Sequence, residues 1–171
     1  MEKEKFHLFW GGIFSQWHMA RIYDPALDIT FNCNEQYMMY MKADTFGDTE
    51  SMNAILDEHN PREQKKLGRK VKGFDKEVWD GVCREIVTYA NYLKFTQNRD
   101  LFIELMKYKK HVCFVEASPF DAIWGIGLEE TDPDAYDRSK WEGTNWLGEA
   151  INDVRDKLHE DHYCWRGIVK K

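Results

Sequence analysis

Three short segments of this chain hold residues whose types and spacing could do chemistry. In the first, Asn34 precedes EQYMMYMKA, where Glu35, Met38 or Met39, and Lys42 fall at positions i, i+3/i+4 and i+7. Seven residues at about 100° each return to within about 20° of the starting direction, so a helix puts Glu35 and Lys42 on one face, about 10 Å apart. A carboxylate and an amine facing across methionines are costly to bury unless partners or a substrate satisfy them. Two readings follow: a pair lining one pocket, or a solvent-facing Glu and Lys at the edge of a core helix. The second segment, VEASPFDAIWGIGLEE, runs from a strand into Ser118-Pro119, then Asp121, Trp124, Gly125 and Gly127. Proline ends a central strand and glycines permit close backbone approach, so this is a shaped loop of the kind on which sites are built. Ser118 and Asp121 could equally cap a short turn, with Trp124 in the core. In the third, GTNWLGEAINDVR, the glycines Gly143 and Gly148 and Asn145 surround a helix start whose free amides favour an anion such as phosphate.

What the sequence lacks narrows the chemistry. No P-loop, GxGxxG fingerprint, HExxH or Ser-His-Asp spacing occurs, which removes the common nucleotide-fold and protease readings. The four cysteines, Cys33, Cys83, Cys113 and Cys164, form no CxxC pair and read as reduced, mostly buried thiols. His159, His162 and Cys164 would need a fourth ligand from elsewhere to hold a metal; a solvated helix end is the plainer reading, and neither metal nor cofactor is expected.

The elements that must position these residues are mainly helical. Asp75 can cap a helix whose apolar stripe is Val82, Ile86, Tyr89, Ala90 and Leu93. Asn98 is placed to cap the next helix, with Leu101, Leu105 and Met106 inward, and Asn145 the last, with Trp146, Ala150, Ile151, Val154 and Leu158 inward. Asn60 and Pro61 open a short basic helix, PREQKKLGRKV, that runs to a break at Gly73; its face is solvated or forms a local phosphate patch. Strand candidates are Phe6 to Trp10, Asp28 to Asn32 and His111 to Ala117.

The chain has 171 residues, with 43% hydrophobic and 32% charged, which suits one compact domain over residues 1–171. Seven Trp, eight Tyr and ten Phe supply a packed core and enough flat rings for a stacking pocket. A net charge of −6 argues against a broad basic surface for duplex nucleic acid and forces any anion site to be local. With no long apolar run and no signal-like start, the chain reads as soluble and cytoplasmic, without membrane association or an obligatory protein partner.

Taken in order, FSQW, NCNEQYMMYMKA, KLGRKVKGFDKEVWD, KFTQN, VEASPFDAIWGIGL, WEGTNWLG and AINDVRDKL resemble the YbiA-like family, also called NADAR for its association with NAD and ADP-ribose. The resemblance covers about residues 6–158. It implies a mainly α, single compact multihelical domain with a few short β-strands. It also implies an N-glycosidase, acting on a small nucleotide-like or ADP-ribosylated substrate. Some family members cleave ribosylamino-pyrimidine phosphate intermediates of riboflavin synthesis, and others remove ADP-ribose from guanine in DNA. A non-catalytic ADP-ribose or NAD-binding module is the alternative.

By position, the resemblance places the family's acidic residue on Glu35 and its lysine on Lys42, with Asp121 and Trp124 in the SPxDxxWGxG loop and Trp79 in the WD dipeptide. Asn91, Lys94, Gln97, Asn98, Ser118 and Asn145 fall on the phosphate and sugar side. Two positions depart from the pattern: His18-Met19 follow FSQW where Tyr-Pro is common, and Trp146 stands where a smaller residue is common. Glu35 and Asp121 are thus candidates for the carboxylate that steadies an oxocarbenium-like state, and Trp79 or Trp124 for stacking the base. Lys42 can attack an opened sugar only if burial lowers its pKa.

Overall fold

The computed structural model describes residues 4–161. Its elements in order are β1 (Lys5–Phe9), β2 (Ile22–Asp24), β3 (Ile29–Phe31), α1 (Asn34–Thr45), α2 (Thr49–Asp57), α3 (Pro61–Gly68), α4 (Lys76–Gln97), α5 (Arg99–Met106), β4 (Val112–Glu116) and α6 (Trp146–Glu160). The fold is mainly α with four short strands, as expected. The described residues form two compact units, Gln16–Asn98 and a discontinuous one built from residues 4–15 and 99–161.

In the Gln16–Asn98 unit, α1 packs against α2, α3 and α4, and β2 pairs antiparallel with β3. Phe31 anchors this core, with its ring 4.9 Å from Tyr37 and 5.3 Å from Tyr40. Gly68 ends α3 where an added Cβ would collide with the Met39 sulfur, so the close approach of α1 and α3 requires a glycine. The α3 helix therefore stops at Gly68, short of the break expected at Gly73, although Asn60 and Pro61 do open it. Asp75 caps α4 by accepting from the Val78 amide, as read. Ala90 and Leu93 of the expected stripe are buried, but Val82, Ile86 and Tyr89 are not, and the rest of the buried face is Trp79, Cys83, Val87, Asn91, Lys94, Phe95 and Thr96. Apolar periodicity missed part of it because Asn91, Lys94 and Thr96 are polar.

In the other unit β1 and β4 pair in parallel, Lys5 opposite Val112 through Phe9 opposite Glu116, and α6 covers β4. Leu8, Val115, Ala117, Ile126 and Ala135 form one core cluster. Buried Arg155 of α6 donates to the carbonyls of Val112 and Lys110, which fixes the start of β4. Two caps differ from expectation. Asn98 follows α4 and turns its side chain back to the Lys94 and Arg21 carbonyls. Asn145 precedes α6 in a left-handed conformation and makes no side-chain cap. Among the described residues no helix is long and apolar enough to cross a membrane.

Candidate active site

The first cluster is built on α1. Cys33, in extended conformation, caps the helix by accepting from the Gln36 amide through Sγ. The Gln36 side chain donates through Nε2 to the Ile55, Leu56 and Glu58 carbonyls, tying the first turn to the end of α2. That turn carries Glu35, which is only 3% exposed. Its Oε2 accepts from the Trp17 indole at 3.3 Å. Two turns on, the Lys42 amine stands 4.2 Å from the centroid of the Phe74 ring and 5.9 Å from that of Trp79. Burial lowers its pKa, the Arg69 charge lowers it further, and Glu35 opposes both. Glu35 and Lys42 thus interact electrostatically, and Glu35 is buried where the alternative reading had it facing solvent. Trp79 is buried beneath the amine, so its ring serves as a wall against which Lys42 is desolvated.

A second layer lies under this face, on α4. Gln16 Oε1 accepts from both Asn34 and Asn91, two fully buried amides, and Asn91 also donates to the Val87 carbonyl. One turn on, Lys94 has no exposed surface, and burial brings its pKa down to about 7. The Cys33 thiol is pushed up to about 11, chiefly by burial. Gln97 bonds both the amide and the carbonyl of Tyr23, at 2.8 and 2.7 Å, and Asn98 bonds the Arg21 carbonyl, so these two side chains hold β2 against α4.

The remaining residues singled out in the sequence gather in the other unit, after β4. Asp121 Oδ1 accepts from the Ile123 and Trp124 amides at 2.9 and 2.8 Å, the turn-capping arrangement weighed for it. Ser118 is buried, and its Oγ accepts from the Phe120 amide. Trp124 packs edge-on against Trp146, with centroids 5.8 Å apart. Asn145 is buried with both ends of its amide engaged, Oδ1 accepting from the Glu116 amide and Nδ2 donating to the Phe114 carbonyl.

Sequence reasoning passed over Gln16, Trp17 and Phe74. Gln16 and Trp17 stand inside FSQW, so the signal was present as a motif without a role. Phe74 carried none, since a single aromatic in a turn looks like any surface residue. Among the described residues no group of three or more His, Cys, Asp and Glu gathers to hold a metal. His162 and Cys164 lie outside those residues.

A family model for the NADAR domain matches residues 8–159. The chain belongs to the NADAR domain family. It is 36% identical over 168 residues to a protein of Acanthamoeba polyphaga mimivirus named N-glycosidase R617, covering 92% of this chain and 98% of that one. It is 40% identical over 133 residues to irg-1 of Caenorhabditis elegans, covering 76% of this chain but 62% of the worm protein, so this NADAR chain spans less than two thirds of that relative. The NMR structure of the E. coli protein YbiA superposes with a TM-score of 0.75 at 21% identity, over 95% of this chain and 89% of the other, which shows a shared fold. The NADAR match and that superposition bear out the resemblance read from the motifs.

Proposed function

We propose that this NADAR chain is an N-glycosidase that hydrolyses the bond between ribose and a base or amine in a phosphorylated ribosyl substrate. ADP-ribose on guanine in DNA and ribosylamino-pyrimidine phosphates are the two substrate types that fit. The observation that carries the reading is the pairing, on one face of α1, of a buried carboxylate held by an indole with an amine whose pKa is lowered by burial. The name of the mimivirus relative supports it.

The chemistry follows from those two groups. When the sugar hangs on an exocyclic nitrogen, ring opening gives an imine at the anomeric carbon and a hydroxyl at C4. Neutral Lys42 adds to that carbon, its two nitrogen protons pass in turn to the departing nitrogen, and the base leaves as its amine, with the sugar held as a lysine imine. Water then hydrolyses the imine, returning the lysine and releasing the open-chain aldose. Glu35, fixed by Trp17, steadies the positive charge that develops at the anomeric carbon. Phosphate is assigned to the Arg69 side, since Arg69 is exposed and its charge reaches Lys42, whereas Lys94 has no surface to offer. Asp121 serves by holding the loop after β4. Neither metal nor cofactor enters the scheme.

The test is incubation with ADP-ribosylated DNA and, separately, with ribosylamino-pyrimidine phosphates, reading released sugar phosphate or ADP-ribose and the free base. Borohydride added during turnover should leave a sugar adduct on Lys42, visible by mass spectrometry. Stoichiometric binding of ADP-ribose with no product from either substrate would leave the binding-module reading in its place.

A further inference from the structure

The rings first expected to stack a base are poorly placed to do so: Trp79 is buried beneath Lys42, and Trp124 is packed on Trp146. The exposed aromatic surface lies elsewhere. Phe120 is 85% exposed and Trp10 58%, and their centroids are 5.8 Å apart with the planes inclined at 50°. Both follow the C-terminal ends of the parallel pair, Trp10 directly after β1 and Phe120 four residues beyond β4.

An aromatic held this far into water normally belongs to a soft loop, and this one does not. Asp121 bonds two amides of its own turn, and Ser118 Oγ accepts from the Phe120 amide itself. The carbonyls of Ala122, Trp124 and Gly125 accept from the amides of Thr144, Leu147 and Asn145. A Cβ on Gly125 would stand 2.8 Å from the Asp121 and Glu116 carbonyl oxygens, and one on Gly143 would collide with Gly125. The backbone is therefore committed before any ligand arrives, and the exposed ring is pre-organised. On Trp10's side Gly11 and Gly12 turn the chain through positive φ, 97° and 65°, directly after the indole.

We infer that Trp10 and Phe120 form a stacking site for the flat heterocyclic base of a nucleotide. The two rings offer on the order of 300 Å² of exposed surface. A stable protein interface needs about 800 Å² per partner, whereas a single planar ring needs no more than this. Stacking is tolerant of base identity because every base presents a π-face, so the site grips the base without reading it. The inference concerns this unit by itself and does not depend on turnover.

Equilibrium binding of adenosine, guanosine and cytidine 5′-monophosphates, with ribose 5-phosphate as the baseless control, tests it in the full chain. The wild type should bind all three nucleotides more tightly than ribose 5-phosphate. Phe120→Ala and Trp10→Ala should each weaken the nucleotides by about 5- to 150-fold, leave ribose 5-phosphate unchanged, and leave the thermal midpoint unchanged because the rings are solvent-facing. Phe120→Tyr should restore nucleotide affinity. Nucleotide affinity unchanged in both alanine variants would overturn the site. So would no preference of the wild type for nucleotides over ribose 5-phosphate, or equal losses for both ligand types. Concentration-dependent self-association abolished by Phe120→Ala would overturn it in favour of a second copy of this chain. Ring-dependent binding without hydrolysis of either proposed substrate would reject the N-glycosidase reading and keep the stacking site.

Discussion

The α1/α4 face and the loop after β4 both contain the residue types that suggest chemistry, and they use them oppositely. On the helices the backbone amides and carbonyls bond one another, so an inward polar side chain can bond a neighbouring element, as Gln36 and Gln97 do, or serve chemistry. Glu35 and Lys42 are the two proposed to serve chemistry. In the loop after β4 the backbone has no such ladder, and the polar side chains supply its partners: Asp121 takes two amides, Ser118 one, and Asn145 an amide and a carbonyl of β4. The same kind of polar residue is thus proposed as a reagent in one place and bonds the backbone in the other. What decides is whether the local backbone is already satisfied.

The sharpest way to break the comparison is at Glu35. Glu35→Gln keeps the shape and removes the charge; turnover should fall by about a hundredfold or more while the thermal midpoint holds. Near-normal turnover in a folded variant would remove Glu35 from the chemistry. Lys42→Arg keeps a cation that cannot form an imine, so both turnover and the borohydride adduct should disappear. Retained turnover without an adduct would indicate direct attack by water.

Asn145 should behave as scaffolding. Asn145→Ala strands a buried amide and a buried carbonyl, and we expect a loss of about 2–4 kcal/mol in chemical denaturation. A smaller effect is expected at Asp121, where asparagine keeps the acceptor oxygen and loses only the charge. Asp121→Asn should retain turnover to within about tenfold, whereas Asp121→Ala should lose more through the loosened turn. A collapse in Asp121→Asn as deep as that of Glu35→Gln would make Asp121 a second chemical carboxylate and erase the contrast between the two regions.

The smallest and most specific effect concerns pH. Burial lowers the folded-state pKa of Lys94 to about 7, well below that of the unfolded chain. The unfolded state then binds more protons from about pH 7 up to about 10, the ordinary lysine value, and over that window stability contributed at this position rises with pH. Below it the lysine is charged in both states and the cost of burying that charge is borne in full. Lys94→Met should therefore raise the melting temperature most at pH 6, with the gain shrinking by pH 9. A gain that is independent of pH would mean the amine is not buried as a titrating group.

Much of this was legible in the residue pattern, and the gaps have physical causes. The α1 face could be read because a seven-residue spacing fixes direction whatever the tertiary context. The fold class and the start of α4 followed from caps and from the family motifs. The orientation of α4 did not, because Asn91 and Lys94 are buried polar residues and a hydrophobic pattern counts them as solvent-facing. The short β2 strand carries too few residues to show a period, and Gln97 holds it from 74 residues away. Asn98 and Asn145 looked like caps because the side chains that cap helices also bond any stray backbone group within reach. Phe120 was hidden by its type, since sequence expects a phenylalanine to be inside.

The parallel pairing of β1 with β4 sets an order of assembly. Lys5 meets Val112 only after more than a hundred intervening residues have been made, whereas residues 16–98 form one uninterrupted stretch. On a ribosome the first strand emerges long before its mate, and the cost of closing so large a loop is met late. The continuous stretch can condense first, and the glycine-pinned loop after β4, with the aromatic pair at the strand ends, is completed only when the last third of the chain arrives. Nascent or truncated chains lacking that third would carry the lysine-bearing helices without the stacking surface.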